Sequence, residues 1–378
     1  MKLEGFYCSR LLASANRSVY LEDKPGGELQ KIGRIPNQAT GREAISFRLK
    51  TTKYWSSALQ HFTGPIHSIN VWHLSGQELL ANAERWLFYS PDRGKSWNHV
   101  LTLPENSAVR GVLPTGVTEH DETLFVGEYL TSYDDTPRLL CSTDRGDSWR
   151  VARTFPESRH IHAVQSDPYS EKLWIATGDT DEESQLGYVE SGEYHRVGTG
   201  SQRWRTVSFQ FLPDSIVWGM DCPYAEENQI LQLQRTALQG EPTELHAVRN
   251  PIYYAASLST DEEKILCFST GCSPVPDSTA PDDAKTGTDS QEATVWMAGS
   301  ADDFSTWIKL ASFQRQNPLF DRLGFEKYST NAYVFLKAID SRGLFFNPYN
   351  TVHHSGEILS RSVDALRNEL KEARQGRV

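Results

Sequence analysis

The octet Ser142-Thr143-Asp144-Arg145-Gly146-Asp147-Ser148-Trp149 decides the fold, because a second copy stands 52 residues before it: Ser90-Pro91-Asp92-Arg93-Gly94-Lys95-Ser96-Trp97. Both read S-x-D-x-G-x-S-W. A weaker third copy, Ser300-Ala301-Asp302-Asp303-Phe304-Ser305-Thr306-Trp307, has Phe304 in the glycine position. Each follows a strand-like run: Trp86-Leu87-Phe88-Tyr89, Leu139-Leu140-Cys141 and Val295-Trp296-Met297-Ala298. The residue types are those of a hairpin turn. The Ser and Asp side chains bond nearby backbone N–H groups, Gly94 and Gly146 supply a positive φ, and Trp97, Trp149 and Trp307 open the return strand with a large ring to bury.

Two full matches at this spacing resemble the Asp-box (BNR) repeat of sialidase-like β-propellers. The resemblance implies an all-β chain, a single propeller of four-stranded blades, and a purely structural role for Ser90, Asp92, Gly94, Trp97, Ser142, Asp144, Gly146, Trp149, Ser300, Asp302 and Trp307.

Composition agrees with one aromatic-rich β domain. The 378 residues include 16 Phe, 15 Tyr and 10 Trp, enough large rings for the core of a propeller filling the whole length. A net charge of −11 argues against nucleic acid or an anionic membrane as partner. Five cysteines form neither a disulfide framework nor a zinc pattern and read as free thiols. The N-terminus lacks the apolar core of a signal peptide, so the expected compartment is cytoplasmic. In a mature secreted form, Asn16-Arg17-Ser18 would be a glycosylation sequon.

Strand runs and turns divide the chain into blades. A partial first unit ends with Leu29-Gln30-Lys31-Ile32, followed by an inserted connection over 34–64. Further units run over about 66–103, 109–155, 161–197, 204–248 and 252–313. Tyr333-Val334-Phe335-Leu336 and Gly343-Leu344-Phe345-Phe346 are expected to complete the partial first unit, closing a ring with strands from both termini. This counts six blades, or seven if 34–64 hides strands. The propeller spans 1–350, with a mobile Pro-, Asp-, Ser- and Thr-rich loop at 274–292. In the tail, 351–378, Leu359, Val363, Leu366 and Leu370 step at helical spacing. A helix over 355–371, capped by Ser355, would dock on the propeller or self-associate through that seam.

In a four-stranded blade, the loops entering the innermost strand and those joining its second and third strands share one end. The octets, joining third and fourth strands, lie at the other. The candidate pocket positions are therefore His67, Arg110, His160, His162, Trp204, Arg205, Tyr253 and Tyr254 at innermost-strand starts. A carboxylate recurs at second-strand ends as Glu84, Glu128, Asp179 and Asp221. Such convergent polar groups suit acidic carbohydrate. Glu128, Asp179 and Asp221 would be acid, base or nucleophile in glycosidic hydrolysis, with His162 moving a proton. Arg110 and Arg205 would hold the anionic group, assisted by His67 and His160, and Trp204, Tyr253 and Tyr254 would stack on sugar rings. His and Tyr with an Arg clamp equally suit β-elimination from a uronate. No metal is required. A calcium or other divalent ion near Asp179 is the less favoured reading, since Asp179-Thr180-Asp181-Glu182-Glu183 lacks the calcium-loop pattern.

Sialidases of the Asp-box superfamily carry the first of three arginines in an (F/Y)-R-I-P motif, and Gly33-Arg34-Ile35-Pro36 matches three of its four letters. The resemblance makes Arg34 a candidate for that arginine; no motif places the other two. The stretch from Arg159-His160-Ile161-His162 through Gly178-Asp179 to Trp204-Arg205 looks like uncharacterised BNR-repeat propellers, which bring no established activity. The functional expectation is a glycoside hydrolase or polysaccharide lyase acting on an acidic glycan. The alternative is a non-catalytic scaffold that binds glycan or protein.

Overall fold

The computed structural model describes residues 1–51, 69–107, 111–272, 290–317 and 331–376. The chain folds as consecutive antiparallel meanders, each a blade of a β-propeller. It divides into two compact units: Glu4–Arg205, and Met1–Leu3 with Thr206–Val378.

The first blade is β1 (Lys2–Tyr7), β2 (Arg10–Ala15), β3 (Ser18–Glu22) and β4 (Leu29–Arg34), and the second is β5 (Ile69–His73), β6 (Leu79–Ala83), β7 (Trp86–Ser90) and β8 (Asn98–Thr102). The third is β9 (Val117–His120), β10 (Thr123–Gly127), β11 (Arg138–Ser142) and β12 (Arg150–Thr154). The fourth is β13 (His160–Ser166), β14 (Leu173–Gly178), β15 (Gln185–Glu190) and β16 (Glu193–Thr199).

In the second unit, β17 (Phe209–Phe211), β18 (Ser215–Gly219), β19 (Asn228–Gln234) and β20 (Thr243–Val248) make the fifth blade. The sixth is β21 (Ile252–Ser259), β22 (Lys264–Thr270), β23 (Glu292–Gly299) and β24 (Ile308–Gln314). The seventh has three strands, β25 (Tyr333–Ile339), β26 (Gly343–Tyr349) and β27 (Leu359–Arg361).

The blade count is thus seven, not the favoured six, and the expected sharing of one blade by both termini is corrected. Lys2–Tyr7, not counted as a strand in the sequence, supplies the fourth strand of the first blade, leaving the C-terminal strands a sheet of their own. The insert 34–64 contributes helix α1 (Gly41–Thr51) in its described part, with Phe47 fully buried and edge-on to Trp86. The loop expected at 274–292 lies outside the described residues up to 289.

Burial follows strand position. Every residue of the second strands β14 and β18 is buried, whereas all five of the outermost strand β12 are exposed. Apolar side chains from neighbouring blades meet in shared cores. Leu80 and Leu87 of the second blade, for example, join Leu124, Val126 and Leu140 of the third.

The octets are the expected turns. Gly94 N–H donates to Ser90 Oγ at 2.7 Å, and Ser96 N–H and Oγ donate to Asp92 at 2.8 and 2.7 Å. The second copy repeats the pattern, with Gly146 N–H to Ser142 Oγ at 2.8 Å and Ser148 N–H to Asp144 at 2.9 Å. Gly94 and Gly146 have φ of +84° and +97°, where a side chain would be strained. In the third copy, Phe304 takes φ +57° and buries its ring, and Asp302 turns to Arg374 at 3.3 Å.

Arg374 lies on helix α2 (Val363–Arg374), which starts later than expected. Ser362, not Ser355, caps it by accepting from Ala365 N–H at 3.3 Å, while Leu359 belongs to β27. Leu366 and Leu370 are fully buried in the core of their own unit, and Arg374 pairs with Glu263 through both guanidinium ends. The helical seam is already covered, which corrects the expectation of self-association through it. The cysteines are all free, with Cys8 exposed and the other four buried. Among the described residues, no helix is long and apolar enough to cross a membrane.

Candidate functional site

Asp179 is the centre of a buried polar cluster in the Glu4–Arg205 unit. It directly follows β14, whose last residue, Gly178, pairs with His160 at the start of β13. The β13–β14 register shifts between Ile161 and Ala163. A bulge there re-aims a side chain, and His160 and His162 both present their rings to Asp179. A Cβ on Gly178 would come within 3.1 Å of Ser184 Oγ and 3.3 Å of the Arg205 stem, so a side chain there would crowd the groups beside the carboxylate.

Four side chains converge on that carboxylate. His160 Nε2 lies 3.1 Å from Oδ2 and His162 Nε2 lies 3.4 Å from Oδ1. Arg205 reaches Oδ1 at 2.9 Å, and Arg159 pairs with Oδ2. Arg205 also donates to the Asp179 carbonyl at 2.7 Å, as does Gln202 at 2.9 Å. His160 Nδ1 lies 2.9 Å from the Leu130 carbonyl, which can only accept, so that nitrogen carries a proton. Tyr129 stacks on the His160 ring at 4.0 Å.

Burial by itself would raise the Asp179 carboxyl. The two imidazoles beside its oxygens and the Arg205 charge outweigh it and hold the group well below the usual carboxylate range. Burial pushes His162 down to about 4 against the opposing pull of Asp179, so the ring is neutral at pH 7. With its Nε2 proton directed at Asp179, His162 keeps a lone pair on Nδ1, a buried atom with no hydrogen-bond partner among the described residues. The arrangement is an Asp–His dyad beside two guanidinium groups.

The donor atoms of His160, His162 and Asp179 lie within 4.8 Å of one another, a spacing that a metal ion could bridge. The charges argue otherwise. Arg159 and Arg205 already place two positive charges on the one carboxylate, and a divalent cation would be added to both.

The other expected site residues are distributed differently. Glu128 is fully buried and held by Arg138, whose Nε and backbone N–H donate at 2.9 and 3.0 Å. It is therefore committed to an ion pair. Glu84 takes φ +51° in the turn between β6 and β7. Trp204 is buried in a 3-10 turn, not an innermost strand; a Cβ on Gly198 would fall 2.1 Å from its indole. Arg34 is exposed at the end of the outermost strand β4. Asp221, Tyr253 and Tyr254 belong to the other unit, where Asp221 is buried, Tyr253 accepts from Asn331 at 3.2 Å and Tyr254 packs on Phe335. His67 and Arg110 lie outside the described residues.

The sequence reading did not assign roles to Arg159, Gln202 or Tyr129. Arg159 adjoins His160 and could have been found by the rule that selected it. Gln202 is brought in by a turn with no sequence signature.

No family model matches the chain, and no curated protein sequence matches it. Among solved structures, the hydrazine synthase of Kuenenia stuttgartiensis is similar in fold, with a TM-score of 0.50 and 12% identity over 84% of this chain and 83% of that one. A chain of a mitotic checkpoint complex aligns with a TM-score of 0.49 and 9% identity over 95% of this chain and 87% of its own.

Proposed function

We propose that the chain is a carbohydrate-active propeller that cleaves an acidic glycan by β-elimination, with His162 as the proton-transferring residue. The observation carrying this reading is the buried Nδ1 of His162, which has no hydrogen-bond partner among the described residues, on a neutral ring whose other nitrogen faces Asp179. Arg159 and Arg205 supply positive charge for a uronate carboxylate, whose neutralisation makes the C5 proton easier to remove. His162 takes that proton as the C4–O bond breaks and a C4–C5 double bond forms. It then returns the proton to the departing oxygen. Elimination is preferred to hydrolysis because hydrolysis needs two available carboxyl groups. Glu128 is committed to Arg138, and Asp179 to two arginines. The Asp-box likeness of the octets is compatible with carbohydrate chemistry, and the reading requires no metal.

The test is a panel of uronate polysaccharides, followed by the ultraviolet absorbance of the unsaturated product. His162→Gln should lower turnover by roughly 100-fold or more, and a chelator should leave it unchanged. New reducing ends without unsaturation would mean hydrolysis instead.

One observation favours a second reading, a non-catalytic scaffold. His160, His162, Asp179 and Arg205 are each no more than 5% exposed, as befits a tie between blades. In that case the panel yields no product, and His162→Gln alters only stability.

A further inference from the structure

At the octet end of the Glu4–Arg205 unit, the opposite end of the blades from Asp179, a cavity of about 420 Å³ opens between the first two blades. Its charged lining is Arg10, Lys31, Arg93 and Lys95, with Glu22 and Asp23. The cavity wall is tightly built: a Cβ on Gly33 of β4 would fall 1.7 Å from the Gly94 carbonyl oxygen, so strand and octet turn touch backbone to backbone.

The two acids are occupied locally. Glu22 accepts the N–H groups of Leu11 at 2.9 Å and Gly26 at 3.2 Å, and Asp23 accepts that of Lys24 at 2.8 Å. Among the described residues, none of the four cations has an ion pair; Arg10 lies over the Tyr7 ring. On a chain of net charge −11, four cations against two carboxylates still give this one cavity a net positive lining, a local reversal of sign.

The second octet is an internal control. Arg145 has the same place in its turn and the same φ, +59°, as Arg93. It pairs with Glu119, with Glu78 at 3.3 Å, and donates to Ser75 Oγ at 3.0 Å. Ser75 and Glu78 belong to the turn joining β5 and β6 in the preceding blade. The corresponding turn before Arg93, joining β1 and β2, is Cys8-Ser9 followed by Arg10, and carries no carboxylate. Lys95 also stands where the second octet has Asp147. The turn geometry is therefore complete without this charge.

We propose that this cavity is a binding site for a sulfate or phosphate ester on a small ligand. Arg10, Lys31, Arg93 and Lys95 hold the anionic oxygens, and the volume lies within the range of small-ligand pockets. The site stands apart from the His162 reading, since it is tested by binding and needs no turnover.

The full chain would be titrated calorimetrically with inorganic pyrophosphate and, separately, with a sulfated disaccharide. Binding of at least one probe is expected, weakening as salt rises; which probe binds distinguishes phosphate from sulfate. Lys31→Gln combined with Lys95→Gln alters two exposed side chains and should weaken binding about tenfold or more with little change in melting temperature. Lys371→Gln, an exposed cation on α2, should leave binding unchanged. No binding of either probe at millimolar concentration, undiminished binding in the double variant, or an equal loss in Lys371→Gln would overturn the proposal.

Discussion

Asp144 and Asp179 are both carboxylates held below their ordinary range, and they reach that state by opposite routes. Asp144 is exposed, and hydrogen bonds from Ser148 and Ser142, all within four residues, hold it down to about 2. Asp179 is buried, and its partners come from Arg159, His160 and His162 on one side and Arg205 on the other. A short-range constellation can be copied whole, so it recurs as a motif. A constellation assembled from distant segments cannot, so it stands once. The repeated carboxylate makes the turn, and the solitary one organises the site.

The sharpest way to break this contrast is Asp179→Ala. It leaves two guanidinium groups facing a buried vacancy and should cost about 3–5 kcal/mol in denaturant unfolding. A loss below about 1 kcal/mol would make Asp179 as peripheral as an exposed turn carboxylate.

A comparable effect should follow from acid. His162 stays neutral in the folded chain down to about pH 4, whereas an unfolded imidazole takes up a proton near pH 6.5. Between those values the unfolded state binds more protons. The contribution is therefore fully present above about pH 6.5 and is lost as pH falls toward 4, by roughly 3 kcal/mol in all. Asp179, held low, adds in the same direction at still lower pH. Stability measured against pH should flatten through the His162 window in His162→Gln. An unaltered slope would show that the ring is not held neutral by burial.

The smallest effect belongs to the octet. Asp144→Ala should lower the unfolding midpoint by less than Asp179→Ala and leave the activity of the folded fraction intact. Equal losses from the two substitutions would erase the distinction between them.

The elements were legible where their chemistry is local. The octets and most blade boundaries follow from turn chemistry and strand periodicity. The blade count was not, because β1, Lys-Leu-Glu-Gly-Phe-Tyr, alternates poorly and carries a glycine, while Leu359 fits a helical seam and a strand equally well. Within the site, His160, His162, Asp179 and Arg205 could be selected by their positions at strand ends. Their convergence could not, since it depends on the bulge after Ile161 and on the close packing around Gly178.

The sequence by itself determined the all-β class and the hairpin turns. These depend on backbone conformations and hydrogen bonds spanning only a few residues. Only the tertiary structure decided the partners of each charge. Glu128 is spent on Arg138, Asp179 is shared among four side chains, and Arg145 is neutralised, whereas Arg93 has no ion pair among the described residues. The reason is physical: an ion pair is defined by distance in space and by the removal of water. Neither is written in the spacing of residues along a chain.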